Sequence, residues 1–166
     1  LKNTDERIQQ NKPVSAGFMF AILLWHETLA AWNRRLALDE KPIPALHQAM
    51  IETLSTQRSQ IAIPRRFDSM IYDIWTIQPR FLFRSGNRPF RLLEHPRFRA
   101  AYDFLWLRSE SGEIDKEIAE WWHAFQHANP ESREAMLIKE TPTKKRKRNT
   151  RKRKPIVSAE SEKNDQ

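Results

Sequence analysis

The sequence contains no cysteine and only three glycines in 166 residues. Without cysteine there is no disulfide and no thiolate metal site, and nothing argues for an oxidising compartment. A cytoplasmic location fits. Gly17, Gly86 and Gly112 lie too far apart to form a glycine-rich phosphate loop. Long apolar runs are also missing. The longest spans residues 16–25 and then meets His26 and Glu27, whereas a membrane helix needs about 20 apolar residues. That run reads as part of a buried helix. No convincing stretch of period-two alternation occurs, which argues against a sheet. The opening LKNTDERIQQNKP has neither an initiator methionine nor a signal-peptide core, so a fragment of a longer protein is expected.

Positive charge is plentiful and concentrated. Nine of the eleven residues in KKRKRNTRKRK are basic: Lys144, Lys145, Arg146, Lys147, Arg148, Arg151, Lys152, Arg153 and Lys154. Removing these nine from the formal net charge of +8 leaves −1. A charge run lying outside any apolar pattern describes a polyanion-binding arm, with nucleic acid as the nearest partner. The whole chain is 39% hydrophobic and carries six tryptophans, all outside the basic run, enough for one core of ordinary domain size. Within it, residues 65–99 hold eight arginines, no lysine and three acids, a net +5, while residues 100–143 carry a net −5. Arginine forks onto phosphates and stacks on bases, which lysine cannot do. Phe67, Tyr72, Trp75, Phe81, Phe83, Phe90 and Phe98 interleave with these arginines, the general recipe for single-stranded nucleic acid. Most of those rings sit at helical core spacing. Phe81 and Phe83, in RFLFR beyond Pro79, are the expected exceptions.

The periodicity is helical throughout. Phe18, Ile22, Trp25, Leu29, Trp32 and Leu36 share one face of a helix starting near Ser15. Leu46, Met50 and Leu54 form the stripe of a second helix, with Pro44 in its first turn. A third opens at Pro64, carries Phe67, Met70, Ile71, Ile74 and Trp75, and ends or kinks at Pro79. A loop around Gly86 leads to a short helix near Phe90. Pro96 then opens a helix with apolar residues on several faces, which predicts a sandwiched position. Ile114, Ile118, Trp121, Trp122 and Phe125 mark an amphipathic helix, ended by Asn129 and Pro130, which can start a last turn. The expectation is an all-α fold of five or six helices. Residues 1–14 would connect to a missing upstream part, 15–140 would form the body, and 141–166 would be a disordered basic tail.

Three segments, in order, resemble the C-terminal region of bacterial poly(A) polymerase, a relative of the CCA-adding enzymes. They are AIPRR at 62–66, DIW at 73–75 with QPR at 78–80, and LLEHPRFRAAYDFL at 92–105 followed by Leu107-Arg108. The resemblance implies an enzyme that extends RNA 3′ ends with adenylates from ATP, for mRNA processing and decay. It implies Mg held by paired aspartates after a Gly-Ser turn in an N-terminal head. No Gly-Ser dipeptide and no Asp-x-Asp occurs here, so this chain is expected to be inactive alone. The implied partners are RNA 3′ ends, the head of the same polypeptide and RNA-decay proteins.

Arg65, Arg66, Arg80, Arg84, Arg88 and Arg91 are the contact candidates, and the basic run adds sequence-independent attraction. Arg97, Arg99 and Arg108 flank a buried helix, and Arg99 can pair with Asp103 four residues on. Glu113, Asp115 and Glu117 imitate a metal site but read as the solvated first turn of a helix. His123 and His127 have a zinc-compatible spacing without an obvious third ligand. His26-Glu27 begins an HExxH string that fails at Ala30. His95 suits orienting a helix start. Two other classes also fit parts of the chain. The basic run looks like a two-part nuclear import signal, and the body could dock an acidic protein.

Overall fold

The computed structural model describes residues 15–138. Among them the chain forms eight α-helices and no strand: α1 Ala16–Leu23, α2 Trp25–Ala37, α3 Pro42–Arg58, α4 Asp68–Ile77, α5 Arg88–Leu93, α6 Phe98–Glu110, α7 Lys116–His127 and α8 Pro130–Met136. Two 3-10 turns, Arg65–Phe67 and Gln78–Leu82, flank α4. The all-α class is as expected, with more helices than the five or six anticipated.

Part of the difference lies at Leu24, where one expected helix is two. Its apolar spacing runs on unbroken, but the backbone there has φ −93° and ψ −2°. Thr28 Oγ1 donates to the Leu24 carbonyl at 3.0 Å, a back-bond that bends helices. The centre of the buried face also differs from the expected stripe. Gly17, Ala21, Leu24, Trp25, Thr28 and Ala31 are buried, whereas Phe18, Ile22, Leu29, Trp32 and Leu36 are half-buried flanks. Small residues allow close approach: a Cβ at Gly17 would lie 3.0 Å from Met70 Sδ and 3.2 Å from the Phe67 ring. Large-residue spacing therefore located the helices and missed which line faces inward.

Two hydrophobic clusters form the interior. One joins α1 to α4 through Ala21, Trp25, Leu46, Met50, Leu54, Ile71, Ile74 and Trp75, and takes in Phe104 of α6. The other gathers Ile77, Phe81, Leu92, Phe98, Leu105, Trp122 and Phe125 from the end of α4, the second 3-10 turn, α5, α6 and α7. Helix α6 thus serves both, as its many-sided apolar pattern predicts. The buried Gln78 stitches the clusters together, with Nε2 donating to the Ile74 carbonyl at 3.0 Å and the Ala101 carbonyl at 3.1 Å. Pro79, which has no backbone N–H, stands where α4 gives way to the 3-10 turn. Asn129 caps α8 by accepting from the Ser132 N–H at 2.8 Å. Among the described residues no helix is long and apolar enough to cross a membrane.

Candidate nucleic-acid interface

The arginines fall into two groups once folded. Arg108 is enclosed: its side chain is 11% exposed, its Nε and Nη2 lie 2.9 and 2.8 Å from Glu113 Oε1, and Nη1 donates to Gln78 Oε1 at 2.9 Å. Its guanidinium lies 4.6 Å from the Trp25 ring centroid, within cation–π range. Trp25 Nε1 donates to the same Glu113 carboxylate at 2.9 and 3.1 Å. Arg84 is also largely buried, 2.7 Å from Glu117, and its carbonyl accepts from Ile138 N–H at 3.0 Å. Arg99 pairs with Asp103 at 3.1 Å, the contact its spacing suggests, and Arg97 approaches Asp73 at 3.9 Å. Both of those side chains remain exposed.

Arg65, Arg66, Arg80 and Arg91 are exposed and form no ion pair among the described residues. Arg66 lies 4.8 Å from the Phe67 ring centroid. Arg80 and Arg91 meet across an open cleft of about 250 Å³, lined by Arg80, Phe83, Arg88, Arg91 and Leu92. The 3-10 turn brings Arg80 and Phe83 to one side, and α5 brings Arg88, Arg91 and Leu92 to the other. Arg88 sits 5.1 Å from the Phe83 centroid. Among the described residues, no acidic side chain lines the cleft. Gly86, at φ +55°, makes the turn between the two walls in the left-handed region that glycine tolerates.

The paired expectation for Phe81 and Phe83 is half corrected. Phe83 is 47% exposed at the cleft, but Phe81 is 0% exposed and forms edge contacts with Trp122 and Phe98 at 5.1 and 6.0 Å. Its carbonyl accepts from Trp122 Nε1 at 2.9 Å. The pattern of the segment could not separate them: Phe81 lies inside the 3-10 turn, whereas Phe83 follows it in extended backbone, φ −96° and ψ 93°. Leu92, buried at the cleft wall, opens the LLEHPRFRAAYDFL segment, but nothing in the sequence marks it as a cleft residue.

The expectation for the acidic trio is corrected in one member, Glu113. Asp115 caps α7, accepting from the Glu117 N–H at 3.4 Å, but Glu113 precedes the helix and serves Trp25 and Arg108. Glu117 holds Arg84. Each carboxylate thus has a structural partner, and the trio does not fit a shared metal ion. Among the described residues no three His, Cys, Asp or Glu side chains are grouped to hold one. His123 and His127 do share a face, with ring centroids 4.9 Å apart, but His123 Nδ1 is 3.1 Å from the Tyr102 hydroxyl. Burial pushes the Tyr102 phenol up to about 12. His95 Nδ1 accepts from the Arg97 N–H at 3.1 Å just before α6, the orienting contact expected of it. The basic residues at 144–154 lie outside the described residues.

Comparison with known proteins supplies the remaining context. A family described as the polymerase A arginine-rich C-terminus matches residues 38–155. Poly(A) polymerase I of Escherichia coli O157:H7 is 38% identical over 164 residues, and that of Salmonella typhimurium is 36% identical over 162. Each alignment covers 93% of this chain and 35% of the relative. Poly(A) polymerase I of Haemophilus influenzae is 35% identical over 168 residues, covering 96% of this chain and 37% of its own length. The chain therefore spans about a third of the length of the curated relatives it matches.

Proposed function

Because the chain belongs to the family of the polymerase A arginine-rich C-terminus, we propose that it is the RNA-holding part of a polynucleotide adenylyltransferase. The observation that carries this reading is the cleft where Arg80, Arg88 and Arg91 surround the exposed ring of Phe83. Guanidinium groups donate paired hydrogen bonds to phosphate oxygens, and an exposed ring offers a stacking surface to any base. Together they suit a single strand of unspecified sequence. Arg65 and Arg66 add cation density on another turn, and Arg97 can exchange its Asp73 carboxylate for phosphate, since an exposed pair contributes only about 0 to 1 kcal/mol; Arg99 reaches solvent from its pair with the buried Asp103. Arg84 and Arg108 belong to the scaffold.

Addition of AMP from ATP, with its Mg, lies in a catalytic head outside this chain. The Glu113, Asp115 and Glu117 set does not fit that chemistry, so no step is assigned to it. The fragment is inactive alone and acts by holding RNA upstream of the 3′ end. Residues 1–14 connect to the head, and residues 141–166 supply long-range attraction through their basic run. The protein works in the bacterial cytoplasm beside RNA-decay proteins.

Binding of fluorescent oligo(A) to the Arg80→Glu/Arg91→Glu variant tests this reading. Affinity is expected to fall more than tenfold at physiological salt, with the helical content unchanged. Equal binding by variant and wild type, together with capture of an acidic protein competitor, would favour a protein-docking surface instead. Deleting residues 144–154 should separately flatten the dependence of affinity on salt.

A further inference from the structure

On the other side of the second cluster, α6 and α7 enclose a smaller cleft of about 200 Å³ that shares no residue with the arginine cleft. Its walls include Tyr102, Trp106, His123 and His127, with the Arg99–Asp103 pair at its edge and the Gln126 side chain hydrogen-bonded to Tyr102. Clefts of about 300 to 1,000 Å³ take drug-sized ligands, so this one suits a single ring system. The rings form a continuous set. Trp106 lies 5.9 Å from His123 and 6.2 Å from Tyr102, and His123 lies 4.9 Å from His127, all between ring centroids.

Three details narrow the ligand. Trp106 Nε1 donates to Glu110 at 3.0 Å, so the indole edge is already satisfied and the ring serves as a wall. Tyr102 is buried and stacked on Phe98 at an interplanar angle of 12°, so its hydroxyl holds His123 while its ring floors the site. Arg99 is paired with Asp103, so the cleft presents rings and an amide more than an open cation. A lone anion is poorly matched to such a site. A transition metal is poorly matched too, because His123 Nδ1 already shares a hydrogen bond with Tyr102. A flat heteroaromatic ring with donors and acceptors on its edge matches it well. Stacked rings and an amide are what proteins use to hold unpaired bases.

We propose that the α6–α7 cleft is a second subsite that stacks one nucleobase of the bound strand on Trp106 beside the His123–His127 pair, with Gln126 at the edge of the base. This rests on the reading of the chain as an RNA-holding body, and it adds a base-contacting point remote from the phosphate-gripping arginines.

The test uses the 166-residue chain, AMP, decaadenylate and an abasic strand of the same length. AMP should shift the NMR signals of the Trp106 indole N–H and the Gln126 side-chain amide. Trp106→Leu should weaken decaadenylate binding about fivefold to a hundredfold, the range for one base–aromatic stack, and His127→Ala should weaken it less. Neither should alter binding of the abasic strand. His127 is exposed, so its variant and the AMP shifts decide the matter if Trp106→Leu does not fold. Unmoved signals, or wild-type decaadenylate affinity in His127→Ala with Trp106→Leu folded and equally unaffected, would overturn the proposal, as would an equal loss on the abasic strand. Loss in these variants combined with wild-type binding by Arg80→Glu/Arg91→Glu would uphold this subsite and sink the arginine cleft instead.

Discussion

The seam around Arg108 and the cleft around Phe83 are built from the same materials, arginine against aromatic rings, and differ in what closes them. At the seam, Glu113 and Gln78 complete the guanidinium's hydrogen bonds and Trp25 covers its face, so that Arg108 is largely buried while Glu113 keeps one side to solvent. At the cleft the guanidinium groups of Arg80 and Arg91 face solvent, the ring of Phe83 is half exposed, and no carboxylate among the described residues lines the walls. A buried charge without partners costs several kcal/mol, so the seam must be complete within the fold. An exposed arginine carries no such requirement and keeps its donors available. Arginine-richness alone therefore does not distinguish the two places. Exposed guanidinium groups beside an exposed ring do.

Several substitutions would break that contrast if it is wrong. The largest effect is expected at Phe81. Phe81→Ala removes a fully buried ring and should lower stability by about 3 to 5 kcal/mol, measured by urea unfolding. Arg108→Ala leaves Glu113 and Gln78 unsatisfied. Because Glu113 is 27% exposed, solvent offsets part of the loss, and about 2 to 3 kcal/mol is expected. Calorimetry should show a thermal midpoint lower by about 10 °C, with oligo(A) affinity of the folded fraction intact. Phe83→Ala should do the reverse, leaving stability within about 0.5 kcal/mol while weakening oligo(A) binding by about 1 to 3 kcal/mol. A Phe83→Ala protein that unfolds early yet binds RNA normally would erase the distinction between the two rings.

The smallest effect concerns alkaline pH. The Tyr102 phenol titrates near 12 when folded, against 10.0 for the free group, chiefly through burial. The folded state thus favours the protonated phenol. Its contribution is fully present below pH 10 and is lost as pH rises from about 10 to about 12. Chemical unfolding across that window should show falling stability, and Tyr102→Phe should remove this part of the dependence.

Much of this was legible in the chain itself, because helices announce their register through 3.6-residue spacing. The α6 pattern, apolar on several faces, announced a helix shared by two clusters. Asn129-Pro130 announced the start of α8, and Arg99 with Asp103 announced an ion pair. What stayed hidden depended on distant partners. Glu113 looks like any first-turn acid until Trp25 and Arg108, 88 and 5 residues away, are brought to it. Phe81 and Phe83 are identical in local context, and only the path of the 3-10 turn separates them. Small residues at 17, 21 and 31 mark the buried line of α1 and α2, yet they carry little hydrophobic signal of their own.

The most direct test of the account is the salt dependence of oligo(A) affinity in Arg80→Gln/Arg91→Gln compared with wild type and with Arg108→Gln. For a single strand the slope of log affinity against log salt is about −0.7 per phosphate neutralised. Loss of two contacts should therefore make the slope shallower by about 1.4 in Arg80→Gln/Arg91→Gln and leave it unchanged in Arg108→Gln. An unchanged slope in the double variant, or a shallower one in Arg108→Gln, would contradict the division of arginines into grip and scaffold.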